Sequence, residues 1–385
     1  MPRLSNSLLS HARHINPLLP LLLRTCRDLP SARNELRWLR EHILTSPGAS
    51  GPSRPAWQEE LYRLCLDRSK GKPLQYILGN QPFGDLDITC RPGVLIPRSV
   101  CDALDSSFIA KNAFSPETES YTTHLAELIC KNITQRSSAD RLPPCPPQLR
   151  ILDLCTGTGC MPLLLHALLS SRTVDLLLHG VDISSNAVAL AKQNLRWNVA
   201  QKHLQKVAND QVTFSQSDIF HLSPTLEVDW DILVSNPPYI SPHSFTKETS
   251  NPVRKFEPKT ALVPRDSYVI SDGHRDALSW DLAVGDAFYP RLLEIAIQVN
   301  AKLFLVEVAG MEQAKRVVAL AVKSGQWDKC QIWRDWPDQG VASRREAFRV
   351  GDKTVHIVGE GHGRSVFLSR AGGIKMLGLG DENLL

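Results

Sequence analysis

Much about this sequence follows from what it lacks. None of its nine cysteines stands in a Cys-x-x-Cys pair, which removes the common zinc and redox motifs and leaves free thiols suited to a reducing compartment. No cluster of His, Cys, Asp and Glu suggests a metal. No apolar run approaches the roughly 18–20 residues that cross a bilayer; Leu18 to Leu23 is only six residues long and is broken by Pro20. Charge of one sign is scarce as well. The 44 Lys and Arg against 40 Asp and Glu leave a net +4, too mild to argue for direct nucleic-acid binding. Locally the balance differs. Before Asp28 there is no acidic residue, while Arg3, Arg13, Arg24 and Arg27 are interleaved with Ser5, Ser7 and Ser10. That is the composition of a mitochondrial transit peptide, with a plain basic first helix as the alternative.

With 385 residues, 42% of them hydrophobic and 22% charged, the chain can build a real core and is too long for one average domain. A large α/β unit with a smaller companion is expected. Residues 1–14 form the candidate targeting segment. Residues 15–80 read as a helical domain: Leu36, Leu39 and Ile43 mark one helix face, Leu61 and Leu64 another, and the Pro47–Pro52 cluster parts them. Alternation at Leu86 and Ile88, and again at Val94 and Ile96, around Arg91-Pro92-Gly93 predicts a β-hairpin connector over 81–98. Residues 136–148, rich in Ser, Pro and charge, read as a loop.

From there on, strand and helix patterns alternate. Strands are expected at Ile151 to Leu154, Asp175 to Val181, Val212 to Phe214, Asp231 to Val234 and Leu303 to Val308. Helices are expected from Pro162 to Leu169 and after Ser185, the latter carrying Val188, Leu190, Ala191 and Leu195. Such alternation indicates right-handed βαβ units and a parallel sheet covered on both faces. Ile332-Trp333, Ala347 to Val350 and Val366 to Leu368 are expected to close the sheet with an antiparallel hairpin, leaving 371–385 as a tail.

Four motifs carry chemistry. Asp153-Leu154-Cys155-Thr156-Gly157-Thr158-Gly159 follows the first strand and opens a helix, so its glycines let the backbone approach a ligand. The third glycine of a dinucleotide fingerprint is Pro162 here, which disfavours a pyrophosphate. A nucleoside carrying an amino-acid moiety fits better, with Asp153 facing the ammonium; a plain structural turn is the alternative. Asp182, 23 residues past Gly159, ends the second strand where a carboxylate can accept two ribose hydroxyls, or could simply cap the next helix. Asp218 follows the third strand and could hold an adenine amine, or be a solvated loop residue.

The fourth strand runs into Asn236-Pro237-Pro238-Tyr239. Two prolines fix φ twice and make a rigid corner at the carboxyl end of a strand, where ligand sites lie in parallel sheets. The Asn236 side chain and the Pro237 carbonyl offer two acceptors, matching the two N–H bonds of an NH₂ on a planar carbon, and Tyr239 offers an aromatic face. The predicted chemistry is methyl transfer from a sulfonium to a planar amide nitrogen by orientation and electrostatics. That accounts for the lack of a base nearby, His243 reading as a surface residue.

Three further strings point the same way: Pro73-Leu74-Gln75-Tyr76-Ile77-Leu78-Gly79, Pro92-Gly93-Val94-Leu95-Ile96-Pro97-Arg98, and Phe256-Glu257-Pro258-Lys259-Thr260-Ala261-Leu262. With these the chain resembles the PrmC/HemK-type protein-glutamine methyltransferases, from its helical N-terminal part to about residue 370. The resemblance implies a class I S-adenosylmethionine-dependent methyltransferase domain over 116–370, with a Rossmann-like seven-stranded sheet, a substrate-docking helical domain and a hairpin connector. It implies S-adenosylmethionine as cofactor, held by Asp153, Gly157, Gly159, Asp182, Asp218 and Asn236. The implied substrate is the glutamine of a Gly-Gly-Gln motif in a class I peptide-chain release factor, held by Asn236, Pro237, Pro238 and Tyr239. If the basic N-terminus is a transit peptide, that factor is mitochondrial; the cytoplasm is the alternative.

The chain departs from the family in four places. Cys155 stands where the family has glycine, Glu307-Val308-Ala309-Gly310 is looser than Glu-Ile-Gly, and Val263 to Asp286 is longer. In addition, 17 residues, Ser99 to Ser115, separate Arg98 from Pro116-Glu117-Thr118-Glu119, strings that are contiguous in the family. Such an interruption marks either an unspliced in-frame intron or a surface insertion, which costs little loop entropy. Two rival functions share these motifs: a DNA or RNA adenine amino-methyltransferase acting on a flipped base, and a silent binding protein that keeps the fold.

Overall fold

The computed structural model describes residues 4–45, 54–98, 117–139, 148–172, 175–221, 229–269, 276–339 and 346–376. The chain divides into two compact units. One comprises the residues up to Asn80 with Cys90–Pro92 and Thr249–Glu257, and the other the remainder.

The first unit is helical, with α1 (Asn6–Ile15), α2 (Leu19–Cys26), α3 (Leu29–Thr45), α4 (Arg54–Ser69) and α5 (Leu74–Leu78). Leu36, Leu39, Ile43, Leu61 and Leu64 are all buried in one core, as their spacing requires. That core begins earlier than Ile15. The Ser5 hydroxyl accepts from Leu8 N–H at 3.2 Å and caps α1, Ala12 is fully buried, and Leu4, Leu8 and Leu9 pack beside it. The basic, acid-free stretch is thus an amphipathic helix whose apolar side belongs to the unit. Arg68 makes a two-pronged bond to Glu35, both arms 2.8 Å long, and this pair ties α4 to α3.

The second unit is built on a nine-stranded sheet. Its strands are β3 (Leu149–Leu154), β4 (Leu176–Asp182), β5 (Val212–Gln216), β6 (Ile232–Ser235), β7 (Leu303–Glu307), β8 (Lys329–Trp336), β9 (Glu346–Val350), β10 (Lys353–Val358) and β11 (Glu360–Ser369). Their order is β5-β4-β3-β6-β7-β11-β8-β10-β9. The first five run parallel, and β11 is antiparallel to both β7 and β8. This is the expected α/β methyltransferase architecture with one correction. The resemblance implied seven strands and the sheet has nine: β9 matches the strand expected at Ala347 to Val350, and β10, which lies parallel to β8, is the one that no pattern announced. Lys353 to Val358 alternates too weakly in polarity to stand out in the sequence.

Both faces of the sheet are covered. Along β7, Leu303 and Leu305 join the core made with α6 (Glu117–Ala139), α7 (Cys160–Leu169) and α8 (Ser185–Ala200). Phe304 and Val306 join the opposite core, made with α13 (Phe288–Gln298) and α14 (Met311–Ser324). The strict alternation is the period of two that a strand imposes. A separate hairpin of β1 (Asn80–Phe83) and β2 (Leu86–Thr89) turns at Gly84-Asp85, not at Arg91–Gly93. Gly84, at φ 57°, supplies the left-handed residue that a two-residue turn requires. Pro92 and Gly93 form a separate turn, and residues 95–98 follow without regular structure. Fully buried Asn194 and Asn198 of α8 accept from the N–H groups of Thr89 (2.9 Å) and Asp87 (3.0 Å). They give back to the Thr158 and Asp87 carbonyls. The hairpin is thereby locked to the loop that follows β3.

Candidate active site

The carboxyl ends of β3, β4 and β6 open on a cleft with an empty volume of about 1150 Å³, its mouth included. Of the residues singled out in the sequence, Gly157, Asp182, Asp218, Asn236 and Pro238 line it. Asp153, Gly159, Pro237 and Tyr239 are not among its lining residues.

The wall after β3 is shaped by backbone. Cys155, Gly157 and Gly159 all have positive φ, at 64°, 56° and 78°. A Cβ built on Gly157 meets nothing within 4 Å, so any side chain there would stand in the cleft. Gly159 is required for another reason: its Cβ would come within 2.9 Å of Phe214 and 3.0 Å of Ala191. It lets the loop pack closely against β5 and α8. Cys155 holds the left-handed turn without being glycine, at a cost of about 1–2 kcal/mol, and burial pushes its thiol well above the ordinary value.

Three carboxyl groups stand behind or along this wall, each in a different state. Asp153 is 1% exposed and neither of its oxygens is hydrogen-bonded; burial pushes its pKa up to about 8. Asp182 accepts from Gly157 N–H at 2.9 Å on one oxygen and from Ser184 N–H at 2.8 Å on the other. Burial nevertheless raises its pKa. Each of its oxygens keeps a lone pair, so two hydroxyls of a ligand can still be accepted. Asp182 is not the cap of α8. Ser184 is, accepting from Ala187 N–H at 3.3 Å. At Asp218 partial burial disfavours the charge. The Phe220 N–H (3.0 Å) and His221 (2.9 Å) outweigh it and hold the carboxyl below its ordinary value. Between these acids the walls are apolar: exposed Ile183, buried Ile219 and Phe288, and Tyr268 stacked on Phe220 with ring centroids 3.9 Å apart. Tyr268 comes from the unusually long 263–286 segment, of which 270–275 lie outside the described residues.

The far wall is the Asn236-Pro237-Pro238-Tyr239 corner, fixed at its base by the buried Ser235 hydroxyl donating to Leu154 C=O at 2.7 Å. Beneath it lies a polar cluster that the sequence did not disclose. Fully buried Glu307, the last residue of β7, accepts from the Tyr239 hydroxyl (2.7 Å) on one oxygen, and from the hydroxyls of Thr118 (2.9 Å) and Tyr121 on the other. Gln313 of α14 donates to the Tyr239 carbonyl at 3.1 Å and fixes the backbone just past the corner. His243 is exposed on α10 (Pro242–Lys247), as expected. Glu119 N–H donates to Arg98 C=O at 3.2 Å, so the chain on either side of the extra segment meets at this wall. Residues 99–115 themselves lie outside the described residues.

Comparison with known proteins agrees with this geometry. The methyltransferase small domain family matches residues 139–255. The mitochondrial MRF1 N(5)-glutamine methyltransferase MTQ1 of Saccharomyces cerevisiae is 34% identical over 263 residues, covering 68% of each chain. A probable MRF1 mitochondrial N(5)-glutamine methyltransferase of Schizosaccharomyces pombe is 30% identical over 318 residues, covering 79% of this chain and 85% of the relative. The chain belongs to the N(5)-glutamine methyltransferase family. A bacterial relative, the release factor glutamine methyltransferase of Pasteurella multocida, is 35% identical over 213 residues, or 53% of this chain and 58% of its own. Within this methyltransferase, two of the strings that carried the resemblance meet at the cleft: Gly93 to Arg98 from one side, and Pro258, Thr260 and Ala261 from another. The third forms α5 in the helical unit.

Proposed function

We infer that this enzyme uses S-adenosylmethionine to make N5-methylglutamine in the Gly-Gly-Gln motif of a class I peptide-chain release factor, and that the factor is mitochondrial. The observation that carries the reading is Asn236: it ends a buried parallel strand, lines the cleft, and is backed by a two-proline corner that holds it still. The names of the two fungal relatives support the compartment.

The cleft fits the cofactor on three counts. Asp153 has two buried, unbonded oxygens beside a loop expected to meet an ammonium. Gly157 leaves open the space that any side chain would fill. Asp182 keeps two lone pairs for a ribose diol, between apolar walls suited to a purine. Bound there, S-adenosylmethionine supplies a methyl group already activated on sulfur.

The rest is the work of this chain. The substrate amide is a poor nucleophile because its lone pair is shared with the carbonyl. Asn236 Oδ1 and the Pro237 carbonyl accept its two N–H bonds, which aims the nitrogen and polarises it as the transferred methyl draws electron density away. The ring of Tyr239 packs on the flat amide and limits its rotation. The proton lost after methylation leaves to solvent through the cleft mouth. Labelled methyl transfer to a recombinant mitochondrial release factor tests the reading, against the same factor with its Gly-Gly-Gln glutamine changed to alanine. Label should enter only the first; equal labelling of both overturns the glutamine assignment.

A further inference from the structure

Hydrogen bonds have direction, and the direction of those below the corner decides which end of the Asn236 amide faces the substrate. A carboxylate has no hydrogen to give. The hydroxyl of Thr118 therefore donates to Glu307, at 2.9 Å, and Tyr121 donates to the same oxygen. With its only hydrogen spent, the Thr118 oxygen is left as an acceptor. The Asn236 amide reaches it at 3.4 Å through Nδ2. The reverse orientation would set Oδ1 against an oxygen with no hydrogen to offer. The relay Asn236 → Thr118 → Glu307 runs one way, and it leaves Oδ1 as the end of the amide that accepts from a ligand. The other oxygen of Glu307 holds the Tyr239 hydroxyl at 2.7 Å, so one buried carboxylate orients both side chains expected to grip the substrate.

We propose that Thr118 and Glu307 are positioning residues for the transferred amide: through their hydrogen bonds they set the polarity of Asn236 and the plane of Tyr239. This role presupposes that the enzyme methylates a glutamine amide at Asn236. It also gives a purpose to two family strings, Pro116-Glu117-Thr118-Glu119 and Glu307-Val308-Ala309-Gly310, which lie far from each other in the sequence. Thr118 is 2% exposed at the cleft lining, with its hydroxyl taken up by Glu307 and Asn236, and Glu307 is fully buried.

The test uses the full chain with S-adenosylmethionine and a recombinant release factor. Thr118→Val keeps the shape and removes the acceptor. The expected result is a fall in kcat on the order of 10²-fold, the scale of a misplaced reacting group, with cofactor affinity by calorimetry and KM for the factor little changed. Thr118→Ser, which restores the hydroxyl, should recover most of the loss; a merely space-filling role for Thr118 predicts the reverse ranking of the two variants. Glu307→Gln should lower kcat too. Combined with Thr118→Val it should cost less than the product of the two losses, because both break one relay. Should Thr118→Val not fold, the Ser and Gln variants carry the test through the same kcat and KM split. Wild-type kcat in Thr118→Val and Glu307→Gln, alongside an inactive Asn236→Ala, overturns the relay and leaves the glutamine reading intact. Full activity in Asn236→Ala overturns that reading itself.

Discussion

The two walls of the cleft are made of different material. On the side after β3, position is set by backbone: three left-handed residues, Cys155, Gly157 and Gly159, and a carboxylate, Asp182, held by two N–H groups. On the side after β6, position is set by side chains in a chain of hydroxyls that ends on Glu307. A backbone wall fails through shape, when a Cβ appears where none fits. A side-chain wall fails through polarity, when a donor or acceptor is removed at constant shape. Binding the cofactor and turning over the substrate should therefore be separable by mutation.

The largest separation is expected at the corner. Asn236→Ala should lower kcat by about 10²–10³-fold, as the loss of one preorganised polar group does, while calorimetry finds cofactor affinity nearly unchanged. A parallel loss of affinity would join the two walls into one. Gly157→Val should do the converse, weakening cofactor binding on the order of 100-fold, or about 2.7 kcal/mol. The left-handed φ of 56° makes a side chain there cost about 1–2 kcal/mol of stability, but the side chain itself meets open space, so circular dichroism should still report a folded chain.

A smaller effect separates Asp153 from the rest of its wall. Folding raises this carboxyl from its ordinary 3.8 to about 8. In that interval the folded, ligand-free chain keeps a proton that the unfolded chain has lost. The stability contributed at this site is highest at low pH and falls as pH rises through the interval. Urea unfolding of the ligand-free enzyme should show that slope, and Asp153→Asn should flatten it; equal slopes in the two proteins would rule it out. The smallest effect is at Cys155. Cys155→Gly relieves a left-handed Cβ and should raise stability by about 1 kcal/mol, seen as a Tm a few degrees higher with kcat unchanged.

The same contrast explains what could be read from the sequence. The backbone wall was legible because its parts are adjacent: strand, glycine loop and acidic strand end follow one another within some thirty residues, each with a local signature. The corner was legible for the same reason, since two prolines announce it. The relay beneath the corner was not, because Thr118 and Glu307 lie 189 residues apart and neither is unusual where it stands. The packing duty of Gly159 was not legible either, as a packing glycine and a ligand glycine look alike until Phe214 is in place. The hairpin turn was set at Arg91-Pro92-Gly93, the stronger turn string, although Gly84-Asp85 forms the shorter loop. The number of strands was underestimated for the reason already given: β10 alternates too weakly to be noticed.

Sheet order also has a consequence in time. The last strand among the described residues, β11, lies between β7 and β8 and bonds to both. Until residues 360–369 have left the ribosome, the parallel block and the β8–β10–β9 block each end in an open edge with no partner. Assembly of this sheet must wait until β11 has been made. A nascent chain cut short between β10 and β11 would present two open edges in place of one enzyme.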